Sequence, residues 1–147
     1  MAKTFSQRIR DWSNRTLSAA EMIRKASAIE LATVMQRPKS EGGNMPVLTG
    51  YLRASFTARV NSDPVIGATN YPAPGQTYSY NPGAVNSVIS RALPTQSIKM
   101  GYQAAYATYQ EYGTDKFAPC GFVRLGVQQW PQIIERNTRA VRQELGL

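Results

Sequence analysis

The side chains that could do chemistry are few. Glu111, Asp115, Glu135 and Glu144 are the carboxylates that acid–base work would draw on in the second half of the chain. Their spacing is too scattered to nominate a pair flanking a scissile bond. The chain has no histidine and one cysteine, Cys120. Serine or cysteine nucleophiles that rely on an imidazole base are therefore excluded within it. One thiol without imidazole does not make a zinc or copper ligand set, and it allows no intrachain disulfide. Gly42-Gly43 lacks the lysine pattern that follows in a phosphate-binding loop. Carboxylate, lysine or tyrosine chemistry stays formally open. The expectation is a non-enzymatic protein with no cofactor and no metal.

What the composition does offer is charge. Seventeen Lys and Arg against nine Asp and Glu give a net +8. Residues 1–40 carry eight cations and three anions, or +5; residues 41–147 carry nine and six, or +3. A basic chain of this kind faces nucleic acid, an acidic protein surface, or simply solvent. Its 147 residues fit one domain, 1–147, and 42% apolar content fits a globular core. No apolar run approaches the ~20 residues that span a bilayer. The start, Met1-Ala2-Lys3-Thr4-Phe5-Ser6-Gln7-Arg8, has no signal-peptide core. Synthesis in the cytoplasm, with no membrane partner, is the expectation.

The elements that must carry these groups follow from periodicity. Residues 1–37 read as a long helix from Phe5 to Gln36, capped by Thr4 or Ser6 and ended by Arg37-Pro38. Phe5, Ile9, Trp12, Thr16, Ala20, Ile23, Ser27, Leu31 and Val34 recur at helical steps. That stripe must pack on a sheet of its own chain or on a neighbouring subunit. Residues 39–46 form a connector. Phe56, Ala58 and Val60 alternate with polar residues, which predicts a strand over Phe56–Val60 closed by Asn61-Ser62-Asp63-Pro64.

Residues 64–95, with Pro64, Pro72, Pro74, Pro82 and Pro94 and the tyrosines Tyr71, Tyr78 and Tyr80, predict an extended loop with a short helix near Ala84–Leu93. Such a loop is expected to be functional, reaching a neighbour in an assembly. Ser97–Gly101 fits a second strand. Ala104–Tyr112 suits a short helix stopped by Gly113. Residues 122–145 predict a C-terminal helix in which Pro131 is either a kink or the start of the main part. The class is α+β: a small, mainly antiparallel sheet packed by a long N-terminal and a long C-terminal helix, with a long central loop.

Two segments then stand out in order: Leu48-Thr49-Gly50-Tyr51-Leu52-Arg53-Ala54-Ser55, and Tyr106-Ala107-Thr108-Tyr109-Gln110-Glu111-Tyr112-Gly113-Thr114 followed by Phe122-Val123-Arg124. Over about residues 45–145 the chain resembles a family of tailed-bacteriophage neck and minor tail proteins of long non-contractile tails. That family shows TG-x-L-R-x-S, a strand, YA-x-Y-x-E-x-GT, a loop, a proline–phenylalanine element and a C-terminal helix. Thr49, Gly50, Leu52, Arg53 and Ser55 match the first motif. Tyr106, Ala107, Tyr109, Glu111, Gly113 and Thr114 match the second, and Phe122 the third. Here Pro119-Cys120-Gly121 precedes Phe122 instead of a directly adjacent proline, and the 64–95 loop is longer.

The resemblance implies a virion structural protein that forms a ring, six copies being expected, at the head–tail junction or the head-proximal end of the tail. Its implied partners are neighbouring neck, tail-terminator or tail-tube proteins. Non-specific contact with DNA in the channel is a further expectation: 6 × 8 gives a formal charge of about +48 per ring. A small basic nucleic-acid-binding module, without a base-reading motif, is the alternative.

Four finer expectations concern individual side chains and glycines. Glu111, near a helix C-terminus where a carboxylate is disfavoured, either pairs with Arg53, within the subunit or across subunits, or lies solvated. Tyr102, Tyr106, Tyr109 and Tyr112 form a stripe at helical spacing that packs on the sheet, or else serves a subunit contact or base stacking. Arg8, Arg10, Arg15, Arg24 and Lys25 share no single face; they are a solvated, salt-bridged set or they line a DNA channel. Gly113 and the Thr49-Gly50 pair read as backbone-shape positions, with Thr49 capping a short helical start.

Overall fold

The computed structural model describes residues 1–147. The first helix, α1, runs Phe5–Gln36. Thr4 is its cap. The Thr4 hydroxyl accepts from the Gln7 N–H at 3.2 Å, and the Gln7 side chain accepts from the Thr4 N–H at 2.8 Å. Arg37, in an extended conformation before Pro38, ends the helix. At 1.5 Å per residue its 32 residues reach about 48 Å.

After a single 3-10 turn at Lys39–Glu41 come a short helix α2 (Tyr51–Ala54) and the strand β1 (Phe56–Val60). A helix α3 (Pro82–Arg91) precedes β2 (Ile98–Tyr102). Antiparallel pairing sets Phe56 opposite Tyr102 and Val60 opposite Ile98. This two-stranded sheet is the only sheet, and one isolated parallel bridge joins Pro38 to Met45. β2 lies one residue later than the sequence pattern predicts, because the buried Tyr102 is drawn in to face Phe56. Likewise α3 begins at Pro82 rather than Ala84. Asn81 caps it by accepting from the Gly83 N–H at 3.0 Å, and Pro82 needs no N–H there.

The C-terminal half holds α4 (Ala107–Tyr112), α5 (Phe122–Gln128) and α6 (Trp130–Leu145). The expected single helix over 122–145 is thus two helices, broken at Gln129, with Pro131 in the first turn of α6. Its missing N–H and fixed φ open a helix and would disrupt the interior of one.

α1 is sandwiched. One side carries Ala28, Ala32 and Met35 into a core with Leu52, Phe56, Ile89 and Phe122. The other side packs antiparallel against α6, where Ile133 is fully buried. The expected stripe does not coincide with one packed side: Ser27 is buried and Leu31 packs on the core, while Thr16 and Ala20 are exposed. The core side escapes a periodicity search because its residues are mostly alanines. α5 crosses α1 closely at Gly126, where an added Cβ would lie 2.7 Å from Met35 Cγ.

The α1–α6 contact is clasped by Glu30. Its carboxylate accepts from Arg136 Nε at 3.1 Å and from Asn137 Nδ2 at 2.7 Å. The Arg136 hydrogen bond holds the Glu30 carboxyl below its ordinary range, against the opposing effect of burial. A lowered folded-state value stabilises the fold above the unfolded-state pKa, and that contribution is lost as pH falls through the folded value. Glu30→Gln is therefore expected to cost up to about 1 kcal/mol at neutral pH, the range of a partly exposed pair. The variant should also lose less stability than the parent on acidification. Urea denaturation at neutral and acid pH checks both; parallel losses in the two proteins would contradict it.

The central loop does not project outward. Gly67 N–H and Asn70 Nδ2 both donate to the Gln103 carbonyl, at 3.1 and 2.9 Å, and Tyr78 N–H donates to the Thr49 carbonyl at 2.7 Å. Its tyrosines lie against the body: Tyr78 on Tyr51 at 4.9 Å and Tyr80 near Phe56 at 6.1 Å between ring centroids. The expected tyrosine stripe is also corrected. Tyr102 belongs to β2 and is buried, Tyr106 precedes the first turn of α4, and Tyr109 and Tyr112 are 58% and 61% exposed. The helix starts at Ala107 instead of Ala104, so the four rings share no helical face.

Candidate functional site

The first motif is a lock on the end of α1. Thr49 Oγ1 accepts from the Tyr51 N–H at 3.3 Å, but the cap position of α2 is Gly50, one residue later than expected. Gly50 sits at φ +82°, and a Cβ there would lie 2.1 Å from the Tyr78 carbonyl oxygen. Glycine is required both for the left-handed backbone and for the close approach of the loop. Leu52 is buried in the core. Arg53 Nε donates to the Gln36 carbonyl at 2.9 Å, one of the carbonyls that α1 leaves unpaired at its C-terminus. The Arg53 guanidinium also lies 5.5 Å from the Tyr80 ring centroid. Gln36 returns a bond from Nε2 to the Arg53 carbonyl at 2.8 Å and accepts from the Tyr102 hydroxyl at 2.7 Å. Ser55 Oγ closes the turn on the Leu52 carbonyl at 2.7 Å.

The second motif is a lock on the start of α5. Glu111 is buried, 5% exposed. Its oxygens accept from the Val123 N–H at 2.9 Å, the Arg124 N–H at 2.8 Å and Arg124 Nε at 3.1 Å. The expected Arg53–Glu111 pair does not form; Arg124 is the partner. The physical reason is plain in the geometry. At the C-terminal end of α4 a carboxylate is disfavoured, but the chain reverses so that the same carboxylate meets the unpaired N–H groups opening α5. Gly113, at φ +80°, makes the reversal possible, and a Cβ there would lie 2.7 Å from Pro119 N. The Thr114 N–H donates to the Phe117 carbonyl, and Cys120 and Gly121 N–H donate to Gln110 and Glu111 carbonyls. Ala107 and Phe122 are buried in the core.

Tyr102 joins the two locks. Its hydroxyl bonds Gln36, while its ring meets Phe122 at 4.9 Å. Burial first, then the nearby Tyr80 and Glu111, raise its phenol well above the ordinary tyrosine range. Gln36 and Tyr102 are thus hub residues that motif matching missed. A buried glutamine at a helix end, 1% exposed, leaves no signature in a periodicity count.

The matched residues therefore divide. Thr49, Gly50, Leu52, Arg53, Ser55, Ala107, Glu111, Gly113, Thr114 and Phe122 hold the body together. Tyr109 faces outward between the two locks, and Tyr106 is half-buried there against the core. Tyr51 and Tyr106 rings lie 6.4 Å apart, and Tyr71 stacks on Tyr106 at 6.1 Å. A cavity of about 190 Å³ opens here between Leu48, Gly50, Pro72 and Tyr106. Beside it a shallow depression of about 460 Å³ runs under Tyr109, Lys116 and Phe117. Leu48 is 97% and Phe117 43% exposed. This aromatic surface on a rigid frame suits a protein contact.

The cations do not converge. Arg24 donates to the Gln96 and Leu93 carbonyls and to Glu21, and Lys25 to the Ser90 carbonyl. Both tie α1 to the α3 region. Arg15 donates to the Leu145 carbonyl. Of the basic set on α1, Arg8 and Arg10 remain without a bonded partner. No three His, Cys, Asp or Glu side chains gather as a metal site, and no helix is long and apolar enough to cross a membrane. Comparison with known protein families, with characterised proteins and with solved structures finds no match to this chain.

Proposed function

We propose that this chain is a non-enzymatic structural subunit of a tailed-phage neck or tail. One copy occupies each position in a ring at the head–tail junction or the head-proximal tail end, where it completes the tail or joins it to the head. The observation that carries this reading is the division of labour within the motifs. Their charged and glycine positions fasten α1, the sheet and α5 into one body. Tyr106, Tyr109, Leu48 and Phe117 are left as an apolar, aromatic surface on that body. Rigid, pre-formed faces associate without the ordering cost that weakens flexible ones. Six copies and virion localisation belong to the same proposal, with neck, tail-terminator or tail-tube proteins as neighbours. The positive charge of the chain supports non-specific contact with channel DNA.

Negative-stain imaging of the purified protein, alone and mixed with tails of its phage, tests the reading. Closed rings, or density capping the head-proximal end, are expected. A monomer that never decorates tails but binds duplex DNA with a steep salt dependence would instead establish the basic nucleic-acid-binding module.

A further inference from the structure

α1 outruns the body that packs on it. The C-terminal end of α6 reaches Arg15, through its bond to the Leu145 carbonyl. Residues 5–14 extend beyond it by about 15 Å. At helical spacing on this overhang stands a ridge of Phe5, Ile9 and Trp12, which are 74%, 50% and 61% exposed. Aromatic side chains carry roughly 150–250 Å² each, so Phe5 and Trp12 alone leave at least ~200 Å² uncovered. Three large apolar side chains uncovered together on one helix face offer a surface for a contact.

The same molecule has a receiving surface. Leu31 of α1, Ile98 and Met100 of β2, Val127 of α5 and Trp130 of α6 line a cavity of about 370 Å³ with Ala28 as its floor and Arg24 at its edge. The volume admits an indole ring with room for a second side chain. Met100 offers a polarisable sulfur and Trp130 an aromatic wall to an incoming indole. The ridge cannot fill this cavity within one molecule. Trp12 and Ala28 lie on a single unbroken helix, about 24 Å apart along its axis.

We infer that the N-terminal overhang of one copy docks, through Phe5, Ile9 and Trp12, into the Leu31–Met100–Trp130 cavity of a second copy of this chain. Ridge and cavity are different patches of one surface, so the contact is heterologous, and repeated head to tail it closes into a ring or runs on as a filament. The inference rests on the proposal that the chain assembles with copies of itself, and it names a contact between copies separate from the aromatic surface around Tyr109.

The test uses the full chain, light scattering after gel filtration, and imaging on tails. Trp12→Glu and Val127→Glu change exposed positions and should leave thermal unfolding of the monomer unchanged. Each variant alone is expected to lose the assembled state and elute as monomer. Mixed in equal amounts they should form a 1:1 heterodimer and nothing larger, because one intact ridge then meets one intact cavity. As a second readout, Trp12→Cys and Val127→Cys on separate chains, each with Cys120→Ser, should cross-link under mild oxidation; this also captures a weak contact. Rings or tail decoration that survive both glutamate variants, with no cross-link, would overturn the docking while leaving ring assembly standing. A wild-type chain that neither self-associates nor decorates tails, with no cross-link between the two cysteine variants, would overturn both.

Discussion

Glu111→Ala is expected to lower unfolding free energy by about 2–4 kcal/mol, with a fall in the urea midpoint and little change in slope. The cost comes mainly from two backbone donors. Val123 and Arg124 N–H groups, at the start of α5, have Glu111 as their acceptor at 2.9 and 2.8 Å. A buried donor left unmade costs about 1–3 kcal/mol. The Arg124 guanidinium contributes less to the loss. Its side chain is 48% exposed and can turn to water, so Arg124→Ala should cost about 1 kcal/mol or less. Glu111→Gln keeps one acceptor oxygen but turns an amide N–H toward a backbone donor, and should fall between the two. An alanine variant as stable as the parent would mean that the carboxylate is solvated after all. Exchanging the charges of Arg53 and Glu111 should give no rescue, since Arg53 bonds the Gln36 carbonyl and stands over Tyr80.

That partner choice illustrates where sequence reading reaches and where it stops. The extents of α1 and β1 were legible. Each rests on local chemistry: the Thr4–Gln7 capping box and Arg37-Pro38 for the helix, and strict alternation for the strand. The α+β class followed from the same signals. Partners across the fold were not legible. Glu111 was recognised as needing a cation, but Arg53 and Arg124 are equivalent on a line of sequence, and only the reversal at Gly113 decides between them. The tyrosine spacing misled for a related reason. Steps of three or four also arise where a strand, a turn and a helix happen to follow one another, as they do from Tyr102 to Tyr112. The break at Gln129 had only Pro131 to announce it, and a proline there fits a kink as well as a start. The Phe5–Ile9–Trp12 ridge was visible as a stripe, yet its exposure depends on where α6 ends, which is a fact about length and register in space.

Gly50→Ala is the other substitution expected to do most damage, and Gly42→Ala isolates the reason. Both glycines have nearly the same left-handed backbone, at φ +82° and +84°. Alanine in that region costs ~1–2 kcal/mol wherever it occurs. Around Gly42 an added Cβ meets nothing within 4 Å, so that cost should be the whole effect. At Gly50 the Cβ would sit 2.1 Å from the Tyr78 carbonyl oxygen, a backbone atom that cannot rotate away. Either α2 or the loop must shift. The 2.7 Å bond from Tyr78 N–H to the Thr49 carbonyl then breaks, and Tyr78 leaves the Tyr51 ring. The combined loss should exceed that of Gly42→Ala by about 2 kcal/mol or more. Amide exchange separates a local from a global effect: Tyr78 and its loop neighbours should lose protection in Gly50→Ala while β1 and β2 keep theirs. Equal destabilisation by the two alanines would show that backbone strain alone matters here. The tyrosine loop would then be free to leave the body, and the aromatic surface around Tyr106, which Tyr71 and Pro72 help to build, would no longer be a fixed shape that a neighbour could recognise.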